Sequence, residues 1–238
     1  ITGAGQGSAQ GVRNSMSETI IKVDGVHKSY LMGKEAVSAL RGVSLDVARG
    51  EMVCLMGPSG SGKTTLLNIV GGLDEPGRGH VTIAGRDIVS MREEQLARLR
   101  LEKIGFVFQT FNLLSNFTAL ENVEAPMVLL GHLGRKERRA RALALLAAVG
   151  LADRVDHYPT ELSGGQQQRV AVARALANDP EILIGDEMTG VLDSKTGFEI
   201  MQLVRDLNQR EGKTVVFVTH DPRMADYADY SVHLLDGQ

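Results

Sequence analysis

The chain has 238 residues, 43% hydrophobic and 23% charged, with a net charge of −3. That supports a sizeable core in one or two domains, and it provides no global basic field of the kind many nucleic-acid binders use. A single cysteine excludes an intrachain disulfide, and a reduced compartment is the simple reading; Cys54, inside Met52-Val-Cys-Leu-Met56, reads as a buried strand residue and not as a reactive thiol.

Residues 1–15 are rich in Gly, Ser and Gln without periodicity, so they read as a flexible tail or a non-native leader, with Met16 as the natural start. Ile20–Val23 predicts a first strand. Val43-Ser-Leu-Asp-Val47 alternates with period two, as a half-buried antiparallel strand does. Met52–Met56 is continuously apolar, as in a strand covered on both faces. It runs into Gly57-Pro58-Ser59-Gly60-Ser61-Gly62-Lys63-Thr64-Thr65, a phosphate-binding P-loop in its required strand–loop–helix setting, with a helix expected from near Lys63. Successive backbone N–H groups of such a loop point into one concavity, and the helix N-terminus adds positive potential. Gly57, Gly60 and Gly62 permit the tight path. Lys63 can reach the β- and γ-phosphates of a nucleoside triphosphate, and Thr64 offers a hydroxyl to Mg²⁺.

Val81–Ile83 and Ile104–Phe108 read as further strands, with Arg92–Leu101 helical between them. From Ala119 to Ala177 the pattern is mostly helical, with breaks expected at Pro126, Gly131, Gly134, Gly150 and Pro159. The basic run Arg135–Arg141 reads as the solvated side of a helix whose other side carries Leu143, Leu145 and Leu146; weak attraction to an anionic membrane surface is the lesser reading. Leu162-Ser163-Gly164-Gly165-Gln166 gathers N–H and O–H donors at a helix start, a site that suits an anion. Glu181–Gly185 and Thr214–Thr219 are β-type runs separated by a long helix, Ser194–Arg210. The first leads into Asp186 and Glu187, the second into His220. In a P-loop protein one such carboxylate can orient Mg²⁺ through water and the next can polarise an attacking water. The longest apolar run, Ala142–Ala152, is about half of the ~20 residues a spanning helix needs, so any membrane role works through a partner.

The P-loop, Leu162–Gln166 continued by Gln167-Gln168-Arg169, the Asp186-Glu187 pair and Val218-Thr219-His220-Asp221 together resemble the ATP-binding cassette (ABC) family, over residues 18–238. The resemblance implies an α/β P-loop NTPase fold with a RecA-like parallel-sheet core, an N-terminal antiparallel β subdomain and an inserted helical subdomain at about residues 109–178. It implies ATP and Mg²⁺ as cofactors, with Tyr30 stacking on adenine, Thr64, Gln109 and Asp186 around the metal, Glu187 polarising the attacking water and His220 at the γ-phosphate. It also implies that Leu162–Gln166 meets a partner's nucleotide and that Asp193 touches the partner, so that two copies close face to face on ATP. Gly105–Leu113, Ala119–Val123, Ala175–Pro180 and Leu192–Gly197 look most like ATPase subunits of lipoprotein-releasing and macrolide-efflux exporters.

The expected function is therefore ATP hydrolysis coupled to an integral membrane permease, from a peripheral position on the cytoplasmic face of the inner membrane, with no nucleic acid. The alternative is a soluble ABC ATPase acting on DNA or ribosomes. Against it, DNA-repair members carry a long coiled coil between the two motifs, and translation-type members carry two cassettes in one chain. A P-loop kinase has no use for Leu162–Gln166. Two positions depart from the family pattern. Met188 stands where proline is usual, which frees φ, restores an N–H and predicts a looser loop from Glu187 to Asp193. Val191 stands where a small or polar residue is usual.

Overall fold

The computed structural model describes residues 18–33 and 35–238; the expected tail, residues 1–15, and Met16 lie outside the described residues. In chain order the elements are β1 (Thr19–Met32), β2 (Glu35–Ala48), β3 (Met52–Met56), α1 (Lys63–Val70), β4 (Arg78–Ile83), β5 (Arg86–Asp87), α2 (Glu93–Lys103), β6 (Ile104–Phe108), α3 (Ala119–Leu130), α4 (Arg135–Ala148), α5 (Gly164–Ala175), β7 (Ile182–Asp186), α6 (Ser194–Glu211), β8 (Thr214–Val218), α7 (Pro222–Ala225) and β9 (Tyr230–His233).

Two patterns of apolar residues become two sheets. Alternation produces the antiparallel sheet, ordered β2-β1-β4-β5. Val43, Leu45 and Val47 of β2 turn inward while Ser44 and Asp46 face solvent, as the period-two reading expects. Continuous apolar runs produce the parallel sheet, ordered β6-β7-β8-β3-β9. Both its faces are covered. Val53 and Leu55 of β3 and Val216 and Val218 of β8 face a core shared with α1 and the antiparallel sheet. Cys54, Val215 and Phe217 face a second core built with α3, α4, α5 and α6. Cys54 is thus a packing residue, and burial pushes its thiol up to about 11.

Parallel strands in neighbouring positions align their C-terminal ends. The P-loop follows β3, Gln109 follows β6, Glu187 follows β7, and Thr219-His220 follow β8. One edge of one sheet therefore carries residues scattered from 57 to 220.

Several expectations need correction. Pro126 does not break a helix: α3 runs through it. Proline removes one helical donor, but Val123 and Met127 stay anchored in the core and the Asn178 amide donates to the Pro126 carbonyl at 3.1 Å. Gly131 does end the helix, at φ 74°. On α4 the inward residues are Ala142, Leu145 and Leu146, whereas Leu143 is exposed, so the apolar face is rotated from the one expected. The strands β5 and β9 and the helix α7 are too short for a periodic signal. Among the described residues no helix is long and apolar enough to cross a membrane.

Candidate functional site

The P-loop path depends on Gly57. Its φ is 144°, and a Cβ there would lie 2.2 Å from the Leu234 carbonyl oxygen. The Lys63 ammonium lies inside the turn and donates to the carbonyls of Gly57 at 2.9 Å and Pro58 at 2.7 Å. Pro58, Ser59, Gly60 and Thr64 are exposed, while Ser61 is buried and Gly62 precedes α1 at φ 101°. Loop amides and the N-terminus of α1 thus present donors to solvent beside a lysine.

Tyr30 lies on β1 and is not a core residue. Its phenol donates to Asp74 Oδ2 at 2.5 Å, Lys28 donates to Asp74 Oδ1 at 2.5 Å, and the lysine ammonium sits 5.1 Å from the ring centroid. Burial first, and the Asp74 carboxylate second, hold the phenol pKa above its usual value, with the Thr65 side chain opposing them. The ring is fixed, exposed and close to the P-loop helix.

At the end of β7, Asp186 is half-buried. Burial first, and the Glu187 carboxylate second, raise its pKa above the usual carboxylate value. Glu187 occupies left-handed backbone at φ 46°, a conformation that costs about 1–3 kcal/mol for a residue with a side chain. Its N–H donates to the Val218 carbonyl at 3.1 Å, which holds the ends of β7 and β8 together. Glu187 Oε2 then lies 3.3 Å from His220 Nδ1. A Cβ on Gly190 would sit 2.7 Å from Gln109 Nε2 and 3.2 Å from Glu187 Oε2, so these two side chains converge over that glycine. Glu187, Gly190, Asp193 and His220 border a polar cavity of about 170 Å³. A carboxylate and an imidazole facing one polar space, with the Gln109 amide beside the carboxylate over Gly190, can orient a water and accept its proton.

Met188 corrects the expectation of a loose loop. It is only 4% exposed, and its sulfur and methyl fill the space over Gly185, which has no side chain of its own. Its carbonyl accepts from Gln168 Nε2 at 2.6 Å. The segment is anchored on both counts. Val191 is exposed.

Ser163 caps α5 reciprocally with Gln166: Ser163 Oγ accepts from the Gln166 N–H at 3.3 Å, and Gln166 Oε1 accepts from the Ser163 N–H at 2.9 Å. Leu162 is buried beneath it, and Gly164 and Gly165 form the first turn. Among the described residues no hydrogen bond joins this turn to the P-loop. Asp193 caps α6, accepting from the N–H and the hydroxyl of Thr196 at 3.0 and 2.6 Å, which lowers its pKa.

A family profile described as ABC transporter matches residues 40–190. The chain belongs to the ABC transporter family. This ABC cassette is 51% identical over 222 residues to an ABC transporter ATP-binding protein of Methanocaldococcus jannaschii, covering 92% of this chain and 94% of that protein. A solved structure of the same archaeal cassette, a dimer in a post-hydrolysis state bound to ADP and Pi, superimposes with a TM-score of 0.85 at 50% identity, covering 91% of this chain and 95% of that one. The macrolide export ATP-binding/permease protein of Shewanella is 47% identical over 93% of this chain, but the cassette spans only 34% of that protein's length. It spans 43% of an ABC transporter H family member of Dictyostelium discoideum, at 51% identity over 93% of this chain. The fold is that of an ABC ATPase, and the cassette binds and hydrolyses ATP.

Within the ABC cassette, sequence reasoning named Gln168 only as part of the run that continues Leu162–Gln166, and did not name Gly190. The contacts that give each its place are with residues remote in the chain, which no local pattern records.

Proposed function

We propose that this cassette dimerises on Mg²⁺-ATP and drives an integral membrane permease of an exporter of lipoproteins, peptides or drugs, from a peripheral position on the cytoplasmic face of the inner membrane. The observation that carries the reading is the convergence of Gln109, Glu187 and His220 beside Gly190, on the sheet edge that also bears Lys63. Lys63 exchanges its two loop carbonyls for the β- and γ-phosphates. Tyr30 presents its ring to adenine. Glu187 accepts the proton of the attacking water, with His220 and Gln109 holding the γ-phosphate and the water in line. Thr64, Asp186 and Gln109 are the hard oxygen donors that suit Mg²⁺, and the half-buried Asp186 beside Glu187 is a pair whose repulsion a cation relieves. The ion supplies charge neutralisation of the phosphates when bound.

Ser163, Gly164 and Gly165 offer their donors to the second copy's γ-phosphate, supported by Leu162 and Gln166, with Asp193 beside them at the interface. The archaeal relative's dimeric structure supports that arrangement. The permease reading rests on the relatives named ATP-binding/permease proteins, of which the cassette is one third. Its docking surface is an apolar groove of about 440 Å³ bordered by Leu101, Phe106, Phe108, Leu129 and Arg174. Leu129 is 73% exposed beside it, and Phe108 directly precedes Gln109. A cytoplasmic segment of the permease seated there touches the strand that carries Gln109. Nothing favours DNA or ribosomes, and no nucleic-acid partner is proposed.

Glu187→Gln keeps the phosphate contacts and removes the proton acceptor. ATP-bound dimers of this variant should accumulate in size-exclusion chromatography, with hydrolysis abolished. Monomers alone at saturating ATP would overturn the reading.

A further inference from the structure

We propose that Gln168 is a positioning residue that ties α5 to both the Gln109 strand and the Glu187 strand, so that the pose of the helix bearing Ser163 sets the geometry of the hydrolytic centre. This rests on the roles proposed above for Gln109 and Glu187. Gln168 is 0% exposed. Its Nε2 donates to the carbonyl of Met188 at 2.6 Å and makes a longer contact of 3.4 Å with the carbonyl of Phe108. Met188 follows Glu187 directly, and Phe108 precedes Gln109 directly. Phe108 and Asp186 are the last paired residues of β6 and β7, so the amide bridges the two chains where the ladder ends.

The amide orientation is forced, because flipping it would set its oxygen against two carbonyl oxygens. Its Oε1 is buried with no hydrogen-bond partner among the described residues. An apolar side chain of this size would pack without that orphan acceptor, so filling space does not account for an amide here. A second clamp lies farther along the same helix. Arg174 donates to the carbonyl of Phe111 at 2.8 Å and also to that of Asn112, in the segment after Gln109. A displacement of α5 against the sheet therefore pulls on the backbone at both Glu187 and Gln109.

The test uses the whole chain and two near-isosteric variants. Gln168→Met removes both donors. Its kcat for ATP should fall by about ten-fold to a hundred-fold, the scale of a misplaced catalytic group, while affinity for a fluorescent ATP analogue stays at the wild-type value. The amides of Gly190 and Leu192, bonded to the carbonyls of Glu187 and Thr189, should exchange faster with deuterium while the amides within α5 stay protected. Gln168→Glu keeps one donor only while its buried carboxyl is protonated, so its kcat should fall with rising pH relative to wild type. Wild-type kcat in Gln168→Met, affinity falling in step with kcat, or unchanged exchange at Gly190 and Leu192 would each overturn the proposal. If Gln168→Met does not fold, a pH profile of Gln168→Glu parallel to wild type overturns it. A wild-type chain that hydrolyses no ATP would instead count against the functional reading, and the exchange measurement would still decide the role of Gln168.

Discussion

A methyl group at position 190 would lie 2.7 Å from Nε2 of Gln109 and 3.2 Å from Oε2 of Glu187. The first distance is inside van der Waals contact, so Gly190→Ala forces the amide or the loop to move. We expect kcat to fall by roughly ten-fold or more, with nucleotide affinity of the monomer unchanged, since the P-loop is not touched. Steady-state ATPase rates beside equilibrium nucleotide binding check this, and a wild-type kcat would mean that the two side chains do not act from these positions. Glu187 and His220 drew attention in the sequence because each follows an apolar strand run, and Gln109 through the family resemblance; all three follow strands of the parallel sheet. Gly190 was not legible, since a glycine in Met188-Thr-Gly-Val191 looks like any loop glycine until the strands are side by side. Met188 was misread for the same reason. The absence of proline is visible in the sequence, but the empty space over Gly185 that the thioether fills is not.

Among the elements, the start of β7 is held by an ion cluster. Glu181 accepts from Lys103 at the end of α2 and from Arg49 in the turn after β2. Lys103 first and Arg49 second pull the Glu181 pKa below its usual value. A lowered carboxylate pKa stabilises the fold above the unfolded value, about 4.3, and that stabilisation is lost as pH falls through the folded value. Because the groups are partly exposed, Glu181→Gln should cost at most about 1 kcal/mol at neutral pH. Chemical denaturation should show the gap to wild type closing in acid; a gap that persists there would have another origin. Element types were largely legible: α1 begins at Lys63, α6 at Ser194, and the alternating strand at Val43–Val47 lies in β2. Boundaries and facing were less so. α3 survives Pro126 because its buried residues and the Asn178 hydrogen bond hold it, and α4 turns Leu143 outward because α3 and α5 choose its inner face.

For the whole molecule, the proposed dimer makes Ser163 a residue that serves the other copy. Ser163→Asp keeps a good helix cap, since aspartate caps as well as serine, but sets a carboxylate where the partner's γ-phosphate is proposed to bind. The variant should melt at the wild-type temperature and bind ATP as a monomer with unchanged affinity. Its hydrolysis and ATP-dependent dimerisation should be lost. An equal loss of monomer affinity would put Ser163 in its own chain's nucleotide pocket.

The sequence alone determined the nucleotide class, the sheet types and the family, because those signals are local. Consecutive amides make a phosphate cradle, consecutive apolar residues make a strand covered on both faces, and adjacent glycines after a serine make a donor-rich helix start. Only the tertiary structure decided which strand ends become neighbours. The order β6-β7-β8-β3 brings Gln109, Glu187, His220 and the P-loop to one edge. It also decided what fills the space between them: the bare backbone of Gly190, the sulfur of Met188 over Gly185 and the buried amide of Gln168. These depend on packing between residues far apart in the chain, where no local pattern of residues records the distance.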